Sequence, residues 1–135
     1  RLHIGLGLAR LRHPVVLVAH ELHRHQAHRP MGRPPEALMA WLGPAISNAQ
    51  FEVGPEVQQA FVGVHPETEA AFDPSPYRLG HYMGDLYKLA RLRLERLGVS
   101  HISGGHFCTA CESRFYSYRR DDGKTGRMAS VIWLR

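Results

Sequence analysis

A chain of 135 residues with 44% hydrophobic content has room for one globular domain, a modest core and a single site. No apolar run approaches the ~20 residues that a membrane helix requires, and the arginine-broken opening shows no small-residue cleavage site, so neither a membrane span nor a secretory signal is expected and the chain reads as cytoplasmic. The net charge of +5 does not describe a uniformly basic surface, because residues 1–34 hold six arginines against one acid, Glu21, whereas residues 35–135 hold 11 cations and 11 acids.

The first quarter also contains six of the ten histidines and no lysine. Its run "HELHRHQAH" spaces His20, His23, His25 and His28 by three, two and three. Three-residue spacing on a helix would suit a two-histidine metal site, yet the only acid nearby is Glu21 and there is no cysteine. A solvated or disordered basic segment is the simpler reading. No recognised nucleic-acid module accompanies the charge, so no nucleic-acid partner is expected. Residues 1–30 therefore read as an atypical His/Arg-rich segment and residues 31–135 as the orderly part of the chain.

In that part "RPPEALMAWLGPAIS" predicts a short proline-started helix with Glu36 in its first turn, running into an extended segment through Gly43 and Pro44. A turn follows at Asn48–Gln50. "FEVGPEVQQAF" predicts a tight turn at Val53–Gly54 and a helix begun by Pro55, with Val57, Ala60 and Phe61 on one face. From His65 to Gly80 the prolines Pro66, Pro74 and Pro76 indicate a loop. The clearest helix is predicted from about Tyr82 to Leu97, with Met83, Leu86, Ala90, Leu94 and Leu97 on one side and Gly98 as its stop. "VSHIS" reads as a strand, Gly104–Gly105 as a sharp connection, and "MASVIWL" as a terminal strand buried on both faces. Helices alternating with short buried strands imply an α/β or α+β layered domain.

Cys108 and Cys111 form a single C-x-x-C. A redox pair wants a strand leading into a helix that starts at the motif, and a zinc ribbon wants a second pair. Neither is visible, so two reduced, partly buried thiols are expected.

Near the C-terminus, "SRFYSYRRDDGKTGRM" places Arg119, Arg120 and Arg127 around a turn running from Asp121 to Gly126, which predicts two extended segments folded back on each other. Arginine forks ligate phosphate or carboxylate, and Tyr118 beside them is suited to stack on a base. The alternative is a surface hairpin whose arginines pair with Asp121, Asp122 and Glu112. Gly-Lys-Thr here is no phosphate loop, since the first glycine of that motif is missing and no helix follows.

Several stretches in order, "AWLGPAIS", "FEVGPEV", "DLYKLARLRLERLGV", the Cys108–Thr109 pair, "RFYSYRRD" and "TGRMASVIWL", resemble the C-terminal part of the YfiH-like family. The resemblance runs from about Met31 to Leu134. These laccase-domain or multicopper polyphenol oxidase proteins are regarded as purine nucleoside phosphorylases. The resemblance implies an α+β fold, a layered mixed sheet with flanking helices, incomplete here relative to the full family fold. It also implies purine nucleoside and phosphate as partners, phosphorolysis of adenosine, inosine and methylthioadenosine, and an adenosine deaminase side activity. Arg119, Arg120, Arg127 and Tyr118 then become candidate substrate-binding residues, while no catalytic residue is identified and the oligomeric state is left open.

The family holds zinc or copper through two histidines and a cysteine in Gln-Val-His, Thr-Ala-Asp-Cys and His-Ala-Gly-Trp-Arg-Gly segments. None of the three is present in this sequence, so no metal is expected on this chain. Cys108 matches the family's Cys-Thr, which is not a ligand motif, and the tail has one residue more between "RRD" and "TGR" than the usual pattern. Reading the codons of Gly7–Leu11 one base later would give Gly-Trp-Arg-Gly under one choice of codons, consistent with a frameshift upstream of about Met31. Two function classes follow: a purine nucleoside phosphorylase, or a fragment without the metal site that is inactive alone.

Overall fold

A computed structural model of the chain describes residues 6–8, 15–18, 36 and 38–128. It divides into two compact units, one made of residues Arg1–Pro44, Arg93–His106 and Ala129–Arg135, the other of Ala45–Leu92 and Phe107–Met128. The α+β class is what the structure has, with helices and two small sheets.

In the first unit four strands lie in the order β1 (Leu6–Leu8), β2 (Val15–Val18), β3 (Met39–Leu42) and β7 (His101–Gly104). β1 and β2 are antiparallel, while β2, β3 and β7 run parallel, so the sheet is mixed. Two short pieces of the basic first quarter thus enter it. Along β3 the side chains alternate, with Ala40 and Leu42 buried and Met39 exposed, the two-residue period of a strand. Among the described residues of this unit, Ala40, Leu42, Leu94 and Val99 are buried apolar side chains. At the end of β7 a Cβ on Gly104 would meet the carbonyl oxygen of Leu42, and the φ of 83° there suits only glycine. The N–H of Gly105 then donates to Leu42 O at 3.0 Å. The expected Gly104–Gly105 connection is therefore the closure of β7 against β3.

In the second unit β4 (Glu52–Val53), β6 (Tyr82–Gly84) and β5 (Phe72–Pro74) form an antiparallel sheet with β6 in the middle. The helix α1 spans Pro55–Val62, with Gly54 as N-cap and Pro55 at its first position, as the sequence indicates. Ala60 is exposed, while Val57 and Phe61 are half-buried, so the helix leans on a narrower apolar face than its spacing suggests. The proline-rich stretch is more ordered than a loop: Pro66–Ala71 is a 3-10 helix and Phe72–Pro74 a strand. The ring of Phe72 packs against Phe61 at 5.8 Å and edge-on to Tyr82 at 6.5 Å.

The helix predicted from Tyr82 starts later, as α2 at Leu86–Arg96. Asp85 is the reason: its Oδ1 accepts the N–H of Lys88 at 2.9 Å, an N-cap that sets the first turn. The three residues before it pair on both edges in the sheet, and Met83 is buried there as a strand residue. Gly98 follows the helix, its N–H closing on Glu95 O at 2.9 Å. Glu36 lies in a 3-10 turn, and Gln50 N–H closes the expected turn on Ser47 O. The terminal "MASVIWL" strand falls, beyond Met128, outside the described residues, as do His20, His23, His25 and His28. Among the described residues no helix is long and apolar enough to cross a membrane.

Candidate functional site

The "SYRRDDG" stretch is not a pair of extended segments. Ser117 caps a single helical turn: its Oγ accepts the N–H of Arg120 at 3.2 Å, and its own N–H donates to Asp121 Oδ2 at 3.2 Å. This is the reciprocal logic of a capping box. The turn closes with Asp121 N–H on Ser117 O and Gly123 N–H on Tyr118 O, through Asp122 at a φ of 47°, which is a Schellman-type ending. Short polar residues flanked by glycine favour such local closure over a ladder.

Arg120 is partly exposed, yet it spends its whole guanidinium on the two turns. Nε donates to Asp121 Oδ1 at 2.8 Å, Nη1 to the carbonyls of Thr109 and Glu112 at 3.0 and 3.1 Å, and Nη2 to Phe115 O at 2.8 Å and Asp121 Oδ2 at 3.1 Å. A guanidinium has five N–H donors, and these contacts use all of them. Arg120 therefore ties the Cys108–Glu112 turn to the Ser117–Asp121 turn. The hydrogen bonds from Arg120 hold the Asp121 carboxyl below the usual carboxylate range, joined by those from Ser117 N–H and the Thr125 hydroxyl.

Arg119 leaves the turn in another direction. Its guanidinium lies 5.5 Å from the centre of the Phe51 ring and its Nη1 donates to Glu52 O at 2.8 Å. Glu52 in turn accepts from the Ser75 hydroxyl. Arg127 is exposed, and Nη1 meets only the carbonyls of Thr125 and Gly126 at 3.3 and 3.2 Å among the described residues. Tyr118 and Tyr116 are 64% and 56% exposed. The two glycines of the turn lie against them: a Cβ on Gly123 would sit 3.2 Å from the Tyr118 ring, and one on Gly126 2.7 Å from the ring of Tyr116. The four sequence candidates are thus not gathered on one ligand position. Tyr118 and Arg127 face solvent, Arg119 is docked on Phe51 and Glu52, and Arg120, though partly exposed, has its donors turned onto the fold's own carbonyls and Asp121.

The neighbouring Cys108–Glu112 turn, which carries the C-x-x-C pair, is held by contacts that spacing does not single out. Glu112 accepts the N–H of Cys108 on Oε1 at 2.9 Å and a fork from Arg114 on Oε2 at 2.9 and 2.7 Å. The Cys108 N–H, and then Arg114, keep its carboxyl below the usual range. Arg114 also covers the rings of Phe107 and Phe115, at 5.2 and 4.9 Å. Tyr87, on the first turn of α2, accepts Ala45 N–H at 2.8 Å and donates to Phe107 O at 2.9 Å. Burial raises its phenol against those backbone bonds. The signal for Tyr87 was faint, a polar tip on a mostly apolar helix face.

Among the described residues no group of three or more His, Cys, Asp or Glu stands together in a way that would hold a metal. The donor set of the described part does not fit the zinc or copper site that the resemblance implies.

Comparison with known proteins matches this architecture to one family. A family model described as multi-copper polyphenol oxidoreductase laccase covers residues 18–135. A Pseudomonas aeruginosa protein named purine nucleoside phosphorylase is 51% identical over 106 residues, which are 78% of this chain and 43% of that protein. The Escherichia coli protein named purine nucleoside phosphorylase YfiH is 52% identical over 101 residues, 74% of this chain and 40% of its own length. A crystallised Neisseria meningitidis protein superposes with a TM-score of 0.66 at 49% identity, covering 71% of this chain and 39% of its own. The chain spans about two fifths of the length of these relatives. The motifs from "FEVG" to "SYRRD" lie within the matched residues, of which the Cys108–Thr109 pair and "SYRRD" build the two turns joined by Arg120, and this chain belongs to the YfiH-like family of multi-copper polyphenol oxidoreductase laccase proteins.

Proposed function

We propose that this chain supplies the C-terminal part of a cytoplasmic purine nucleoside phosphorylase. The observation that carries the reading is the identity of about half over some hundred residues to relatives bearing that name. In the reaction a phosphate oxygen attacks C1′ of the ribose, the N-glycosidic bond breaks, and the purine leaves with a proton. Adenosine, inosine and methylthioadenosine are the proposed nucleosides, with deamination of adenosine as a side activity. Within this chain Arg127 offers N–H donors without a partner among the described residues to a phosphate, and Tyr118 offers an exposed ring to a base. Arg119 adds a partly committed guanidinium near the Phe51 ring. Arg120 enters as a positioning residue, since its donors are used within the fold. Zinc or copper belongs to the complete protein in this reading.

A second reading, that the chain is inactive by itself, is favoured by the lack of a metal-ligand group among the described residues. One experiment separates the two. Residues 31–135 are grafted onto the N-terminal part of the Pseudomonas relative, and base release from inosine and adenosine in phosphate is followed for the chimera and for the chain alone. Activity in the chimera only supports both statements. A folded, metal-loaded chimera without phosphorolysis would defeat the phosphorylase reading, and activity of the chain alone would defeat the second.

A further inference from the structure

The C-x-x-C pair is outside the proposed nucleoside chemistry and has a defined geometry of its own. Cys108 O accepts the N–H of both Cys111 and Glu112, at 3.2 and 3.0 Å, so the four residues make one helical turn. Residues three apart on such a turn share a face, with Cβ atoms about 5–6 Å apart. A disulfide needs them about 3.5–4.5 Å apart, a small closure for a surface turn. The pair is asymmetric: both thiols are free, Cys108 is buried with 9% of its surface exposed, and Cys111 is exposed. The N–H of Ser47 donates to Cys108 Sγ at 3.5 Å.

We propose that Cys108 and Cys111 are a thiol–disulfide exchange site, in which exposed Cys111 takes up a low-molecular-weight disulfide of the glutathione class and buried Cys108 resolves it into an intramolecular disulfide. The electron balance is complete. Cys111 first gives its proton to water, its thiolate attacks one sulfur of the incoming disulfide, and the departing thiolate takes a proton back from water and leaves as a thiol. The Cys108 thiolate then attacks the Cys111 sulfur, and the second thiolate leaves and takes its proton from water. The protein dithiol loses two electrons and the incoming disulfide gains them.

The charge state of the pair favours the second step, and exposure the first. Burial pushes the Cys108 thiol up, but donation to its sulfur from Cys111 and from the hydroxyl and N–H of Ser47 outweighs burial and holds it down to about 7. Cys111, which donates to Cys108, is raised. A thiolate is therefore present near neutral pH on the sulfur that performs the resolving attack. Bulk decides the first step, because only Cys111 is open to a disulfide of peptide size.

The test incubates the full chain in a reduced and oxidised glutathione mixture, quenches with acid, and reads intact mass and peptide maps. The expected wild-type product lacks two hydrogen atoms, carries no glutathionyl group and joins Cys108 to Cys111. Cys108→Ser should instead retain a glutathionyl adduct on Cys111, and Cys111→Ser should stay unmodified over the same period. A wild-type chain that keeps the adduct at the level of Cys108→Ser, or that remains a dithiol in an oxidising mixture, overturns the proposal. The wild-type measurement decides even if a variant does not fold.

Discussion

Arg120 and Arg127 sit seven positions apart in one motif and do opposite jobs. Removing Arg120 exposes the carbonyls of Thr109, Glu112 and Phe115 and leaves Asp121 without its guanidinium. For a half-exposed hub we expect Arg120→Ala to lower stability by about 2–3 kcal/mol in urea denaturation. Arg120→Lys should recover little, since an ammonium has three donors and no fork. Arg127→Ala should change stability by less than about 0.5 kcal/mol. In the active chimera it should lower kcat/KM about tenfold or more if Arg127 meets phosphate. Equal loss of melting temperature in both variants, with activity intact in Arg127→Ala, would return the arginines to a structural role.

The same cluster sets a pH dependence. Asp121 has its folded value depressed below the ordinary 3.8, chiefly by Arg120, and Glu112 is depressed below 4.5, chiefly by Cys108 N–H. Carboxylates of this kind contribute stability that is fully present above their unfolded values and is lost as pH falls through the folded ones. Stability should therefore decline on acidification below about pH 4. Asp121→Asn should flatten that decline in denaturation curves taken across the acid range, and an unchanged slope would show that Asp121 is not coupled to folding.

At the scale of elements, two glycines with nearly the same positive φ separate strain from contact. Gly80 has a φ of 77° and no atom within 4 Å of a Cβ, whereas Gly104 has a φ of 83° and its Cβ would meet the Leu42 backbone. Gly80→Ala should cost about 1–2 kcal/mol from backbone conformation alone. Gly104→Ala should cost clearly more, at least about 3 kcal/mol, because β3 and β7 would have to part. Similar melting curves for the two would mean that the approach of Gly104 to Leu42 is looser than the structure shows. The start of α2 carries a related lesson. Apolar spacing continued back through Met83, but the same residue satisfies a strand's inward position, and period alone does not distinguish the two uses. The Asp85 cap was readable in "GDLYK" as the sharper boundary.

At the scale of the molecule, the family was legible because its motifs are long and ordered, and the family match and relatives agree with it. Metal content is the corresponding prediction. After chelation and repletion with zinc or copper, the purified chain should hold no tightly bound ion in stoichiometric amount, since the three ligand motifs are absent from its sequence. One ion per chain that survives replacement of His20, His23, His25 and His28 would show ligands the motifs do not account for.

The sequence alone determined the family, the α+β class, the Pro55 start of α1, the Gly98 end of α2 and the strand that precedes Gly104–Gly105. Each of these is written in local chemistry: a fixed φ, a missing Cβ, an alternation of side chains, or a run of residues specific to one family. Tertiary structure alone decided that Tyr82–Gly84 is the central strand of a sheet, that Phe72–Pro74 pairs with it, and that Arg120 joins two turns while Arg127 meets only the carbonyls of Thr125 and Gly126 among the described residues. Those outcomes depend on partners such as Val53, Thr109 and Phe115 that lie many residues away or across a turn. An arginine's destination is set by which carbonyls and carboxylates converge on it, and that convergence exists only once the chain has folded.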